Sequence, residues 1–106
     1  MSKEIKILCV CNKGEVRSVA TRHCLMKRGY RNVIAIGWYG MTDATLDMLG
    51  NWADIILVAK PYHAKYLASG REKVNKQFTL GEQIWDNPLH PDLHKLVNKQ
   101  LDLIKL

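Results

Sequence analysis

From Cys11 to Ser18 the chain reads Cys-Asn-Lys-Gly-Glu-Val-Arg-Ser, a cysteine followed at the sixth place by arginine and then serine. Each residue type has a chemical use at that spacing. A cysteine is a strong nucleophile only as thiolate, and a free thiol titrates near about 8.5. A helix beginning near Ser18 would turn its positive end toward Cys11, which favours the thiolate. The free N–H groups at that end form a nest for an anion. Arg17 can grip two phosphate oxygens at once, which the point charge of lysine cannot. The Ser18 hydroxyl can donate to the Cys11 sulfur, and Gly14 permits the left-handed backbone of a tight loop. Cys11 is therefore the candidate nucleophile. Asn12, Lys13, Gly14, Glu15, Val16, Arg17 and Ser18 are the candidate phosphate-binding residues.

Phosphoryl transfer to sulfur also needs a proton for the departing oxygen. Asp86, in Ile-Trp-Asp-Asn-Pro, is the candidate acid, and afterwards the base that activates water. Pro88 limits the freedom of its loop, and Trp85 can pack beneath it. Trp38 and Tyr39, in Gly-Trp-Tyr-Gly, are candidates for the substrate rim or for a cover over the core. His90 and His94 lie four apart with Asp92 between, but no third ligand is evident, so no metal is expected. No cofactor is implied either. Cys9 and Cys24 read as buried small residues.

These groups must be positioned by the elements around them. Residues 4–10 alternate and then become wholly apolar, as a central strand would. Residues 18–28 place Val19, His23, Cys24, Leu25 and Met26 near one helical stripe, with Ser18 as cap and Gly29 as stop. A second strand is expected over 31–38. A helix follows with Leu46, Leu49 and Trp52 on one face, capped by Thr42 or Asp43. Residues 54–59 form the clearest buried strand. Residues 61–69 read as a helix opened by Pro61 and closed by Gly70. Residues 73–80 read as a fourth strand, 81–90 as a loop, and 91–106 as a terminal helix carrying Leu93, Leu96, Val97, Leu101 and Ile104.

Strict alternation implies an α/β fold, a four-stranded parallel sheet with helices on both faces. In such folds the site lies beyond the carboxyl ends of the strands, where the strand order reverses. The loops after the first and last strands then meet on one edge.

The chain has 106 residues, which suggests a single domain over 1–106. No apolar run approaches the roughly 20 residues that span a bilayer, and the N-terminus lacks the pattern of a signal peptide. Three cysteines, an odd number, argue for reduced thiols and a cytoplasmic location. The formal charge is +6, which favours anionic partners. Its lysines and arginines form no basic tail and no recognisable nucleic-acid module, so nucleic acid is not the expected partner.

The stretch Ile-Leu-Cys-Val-Cys-Asn-Lys-Gly-Glu-Val-Arg-Ser, continuing to Leu25, resembles the active-site strand, loop and helix of the low-molecular-weight protein tyrosine phosphatases. Residues 52–59 resemble their third-strand segment, and 84–104 their acid loop and final helix. The resemblance implies their three-layer sandwich and two-step hydrolysis of a phosphomonoester, such as a phosphorylated protein, through a phosphocysteine on Cys11. It implies that Arg17 and the loop amides bind the phosphoryl oxygens and that Asp86 acts as acid and then base. The chain departs from the family pattern at several points. Gly14 stands where relatives usually carry an asparagine that braces the loop. Glu15 adds a negative charge and is expected to point outward. Val16 replaces the second loop cysteine of many relatives, Asn87 separates Asp86 from Pro88, and the chain is shorter than typical members.

Three other functions compete. A phosphocysteine phosphocarrier would not need Arg17 or the Asp86 loop. Arsenate reduction on this fold relies on further cysteines downstream, and none follows Cys24. A catalytically weak phosphate-binding or phosphopeptide-binding module would retain the cradle without turnover.

Overall fold

Five of the six residues of strand β1 (Lys6–Cys11) are buried. A strand covered on both faces has no polar side to offer water, hence its unbroken apolar run after Lys6. It is the centre of a parallel three-stranded sheet in the order β2-β1-β3, between β2 (Asn32–Gly37) and β3 (Ile55–Val58). The register pairs Lys6 with Asn32 and Cys11 with Gly37 on one side, and Ile7 with Ile55 and Val10 with Val58 on the other. The structure, a computed structural model, describes residues 2–67 and 69–106.

Side chains alternate across the sheet and build two cores. Ile7, Cys9, Cys11, Val33 and Leu57 face helices α1 (Arg17–Lys27) and α3 (Pro91–Leu103). Leu8, Val10, Ile36, Ile56 and Val58 face helix α2 (Asp43–Trp52) on the opposite side. Helix α3 contributes Leu93, Val97 and Leu101, all fully buried and four residues apart. Helix α2 is capped by Thr42, whose side chain accepts from the Thr45 N–H. The chain leaves α1 through Gly29 at φ 97°, a left-handed stop. The buried face of α1 is rotated from expectation: Met26 is 41% exposed, whereas Arg17, Ser18 and Thr21 turn inward with Ala20, Cys24 and Leu25.

The sheet has three strands, not the four expected. Residues 73–80 run beside β3 with a single bridge between Val74 and Ile56. Asn75 N–H donates to Ile56 O at 2.9 Å and Leu80 N–H to Ala59 O at 2.7 Å. Between these two bonds the Asn75 side chain accepts from the N–H groups of Gln77 and Phe78, at 2.9 and 3.2 Å. A local side-chain acceptor thus holds amides that a ladder would need, and the pairing stops. Phe78 and Leu80 are still buried in the α1–α3 core. Their apolar pattern therefore signals burial, not strand.

The helix expected over 61–69 is a 3-10 helix at Pro61–Tyr66, followed by a 3-10 turn at Arg71–Lys73. Ala68, within the expected span, lies outside the described residues. Pro61 opens the first of these turns, while Gly70, at φ 83°, opens the second instead of closing the first. The His63 side chain accepts the Lys60 N–H and the His63 N–H donates to Lys60 O, which holds the chain in the tighter turn.

The chain leaves β1 for a neighbour on one side and later crosses to the other. The carboxyl end of β1 is therefore the switch point of the sheet, and Cys11 is its last residue.

Candidate active site

Residues 12–16 connect β1 to α1 as a tight loop around the Cys11 sulfur. The Gly14 N–H donates to Cys11 Sγ at 3.2 Å, and Sγ donates to Ser18 Oγ at 3.1 Å. When the thiol loses its proton, the hydroxyl can turn and donate instead. Ser18 is not the helix cap expected from the sequence. Val16 occupies that position with no side-chain bond; the serine is the second residue of the helix and its hydroxyl is committed to sulfur. No acidic residue sits in the first turn of α1, which leaves its positive end open to an anion.

Two glycines give the loop its shape. Gly14 has φ 74°, and a Cβ there would lie 2.5 Å from Gly37 N and 2.7 Å from the Ile36 carbonyl carbon. A Cβ on Gly37 would overlap the Lys13 backbone and lie 2.5 Å from Asn12 O. The loop therefore rests backbone to backbone on the end of β2. Trp38 N–H to Cys11 O at 3.1 Å and Tyr39 N–H to Asn12 O at 2.9 Å continue this pairing past the strands.

A cavity of about 250 Å³ opens over the loop, lined by Cys11, Asn12, Lys13, Glu15, Val16, Arg17 and Gln83. Arg17 is only 1% exposed. Its Nη1 donates to Gly81 O at 2.6 Å, while its buried Nε has no partner among the described residues. A buried guanidinium N–H left unmet is costly unless a hydrogen-bond acceptor reaches it. Glu15, expected to point outward, is exposed, yet it belongs to the cavity wall.

Asn12 is tied to the aromatic residues and the histidine beside the loop. Its Oδ1 accepts from Trp38 Nε1 at 3.3 Å and Tyr62 OH at 3.0 Å, and it meets His63 Nε2 at 2.7 Å. Trp38 is also stacked on Tyr66 at 3.7 Å, whereas Tyr39 is 66% exposed. Burial, with Arg17 and Lys60 nearby, lowers the His63 pKa from 6.5 to about 4. Burial raises the Cys9 and Cys24 thiols, so neither competes as a thiolate.

Asp86 is exposed on the 81–90 loop and is not in the cavity wall; Gln83 represents that loop there. Trp85 packs against the α1–α3 core. Lys60 pairs with Glu82 across the same edge, which lowers the Glu82 pKa. His90 Nδ1 accepts the Asp92 N–H at the start of α3, and His94 Nε2 meets Pro88 O at 2.7 Å. Sequence reasoning missed Gly37, His63 and Gln83. Gly37 carried a signal, a glycine at a strand end beside a tight loop. His63 and Gln83 carried none, since only folding brings them to residue 12 and to Cys11.

Among the described residues no helix is long and apolar enough to cross a membrane. A scan against protein-family models matches none, and searches of curated proteins and of solved structures return no match. Local geometry therefore carries the comparison. The buried Cys11, Arg17 and Ser18, set at the junction of β1 and α1, match the active-site signature of the low-molecular-weight protein tyrosine phosphatases and the phosphate-loop geometry of phosphocysteine catalysis.

Proposed function

We propose that the protein hydrolyses phosphomonoesters in two steps, with phosphotyrosine in a protein as the substrate class. The observation that carries this reading is the buried Cys11 sulfur in contact with Gly14 N–H and Ser18 Oγ, beside an arginine whose Nε is unmet. The Cys11 thiolate attacks phosphorus, the P–O ester bond breaks, and Asp86 gives its proton to the departing oxygen. Water then attacks the phosphocysteine, Asp86 takes the water's proton, and the S–P bond breaks to release phosphate and the thiolate. Arg17 and the loop N–H groups stabilise the charge on the phosphoryl oxygens in both steps. Trp38 and Tyr39 flank the entering aromatic group. Asp86 reaches the leaving oxygen from the loop that also supplies Gln83 to the cavity wall.

The test is phosphate release from aryl phosphates between about pH 5 and 7, without added metal. Cys11→Ser abolishes turnover while the protein stays folded. Asp86→Asn slows hydrolysis most for esters with poor leaving groups, because these need the proton most. Equal rates for wild type and Cys11→Ser would overturn the mechanism. The position of Asp86 outside the cavity wall favours one second reading, a phosphopeptide-binding module without turnover. Binding of inorganic phosphate with no hydrolysis by the wild type would establish that reading instead.

A further inference from the structure

His63 is fully buried, stands 51 residues from Asn12 in sequence, and plays no part in the two-step reaction. Both of its ring nitrogens are used. Nδ1 accepts the Lys60 N–H at 3.2 Å, so that nitrogen carries no proton. The ring hydrogen is then on Nε2, which donates to Asn12 Oδ1 at 2.7 Å. Trp38 Nε1 can only donate, and it points at the same oxygen. Two obligate donors decide which end of the Asn12 amide is oxygen. Of the three groups that meet this oxygen, His63 is the nearest and the only one fully buried. Asn12 directly follows the nucleophile and lines the cavity with Cys11 and Arg17.

We propose that His63 is a positioning residue for the phosphate cradle: its imidazole locks the Asn12 side chain and thereby fixes the loop that holds the anion. The inference rests on the cradle reading above. The 3-10 helix after β3 thus governs a loop that follows β1. A loop freed at residue 12 points its N–H groups less accurately at the anion, and affinity falls.

The test measures inorganic phosphate binding by calorimetry and aryl phosphate kinetics for His63→Phe, His63→Gln, Asn12→Ala and the double variant His63→Phe/Asn12→Ala. Phenylalanine keeps the ring volume and loses both hydrogen bonds; glutamine keeps a donor near the Nε2 position. His63→Phe is expected to raise the phosphate Kd about tenfold, the worth of one buried hydrogen bond. His63→Gln restores it to within about threefold of wild type. The double variant is no weaker than Asn12→Ala, because His63 acts through Asn12. Unchanged affinity in a folded His63→Phe, or losses that multiply in the double variant, overturns the inference. Nitrogen-15 shifts of the wild-type imidazole test it even if His63→Phe fails to fold. The Nε2–H form at neutral pH is expected, and the Nδ1–H form overturns the inference. A wild type that binds no phosphate and shows no turnover refutes the cradle itself. A wild type that binds phosphate, with variants equal to it, refutes only the role of His63.

Discussion

Arg17 spends one arm of its guanidinium on Gly81 O and leaves Nε without a partner among the described residues, although the side chain is buried. In the proposed reaction this fork, held at one end, offers its free side to two oxygens of the phosphoryl group. Lysine at this position keeps the charge but not the fork. Arg17→Lys is therefore expected to lower kcat/KM by roughly 10²–10³, the range for losing one donor to a developing oxyanion. Steady-state kinetics on an aryl phosphate measure this, and a loss below tenfold would mean that the arginine is only structural. The sequence marked Arg17 through its spacing from Cys11. It did not mark Gly81 as the arginine's anchor, because a backbone carbonyl has no residue type to recognise.

The loop between β1 and α1 keeps its form because it lies on the end of β2. Gly14 and Gly37 face each other so closely that neither has room for a methyl group. Gly37→Ala forces a Cβ against Asn12 O and the Lys13 backbone. The expected effect is a destabilisation of about 1–3 kcal/mol, as for overpacking elsewhere, with a larger fractional loss of phosphate binding than of helix content. Urea unfolding followed by circular dichroism gives the first quantity, and calorimetry the second. The elements themselves were largely legible. β1, β2, β3, α1, α2 and α3 fall where apolar periodicity places them, within a few residues. The expected fourth strand failed at Asn75, whose side chain outcompetes the ladder for two amides. The helix expected over 61–69 tightened into a 3-10 turn around His63 and Lys60.

Across the whole molecule, folding draws His63 from an exposed chain into a dry site beside two positive charges. Its pKa falls from the ordinary 6.5 to about 4, first through burial and then through Arg17 and Lys60. The unfolded chain takes up this proton as pH drops below 6.5, while the folded chain refuses it until about 4. The unfolded state binds more protons in that window, so the contribution of His63 to stability is full above 6.5, declines as pH falls, and is gone below about 4. The decline from this one group is at most about 1.4 kcal/mol per pH unit. Urea unfolding at several pH values through that window checks the slope. It should be shallower in His63→Gln, which removes the titrating group while sparing the carboxylates common to both proteins. Equal slopes would show that His63 titrates alike in both states.

The sequence alone marked Cys11, Arg17 and Ser18 by their spacing, and the parallel α/β order that places them at a strand end. Those features are local or periodic: a motif of eight residues, and side chains alternating by two or recurring near four. Only the tertiary structure decided the width of the sheet, the bond of Arg17 to Gly81, the contact of Gly14 with Gly37, and the clamp of His63 on Asn12. Each of these joins residues far apart in the chain through a backbone atom or a specific side-chain angle. No pattern of residue types encodes such a meeting; it exists once β1, β2 and β3 lie side by side and bring their carboxyl ends to one edge.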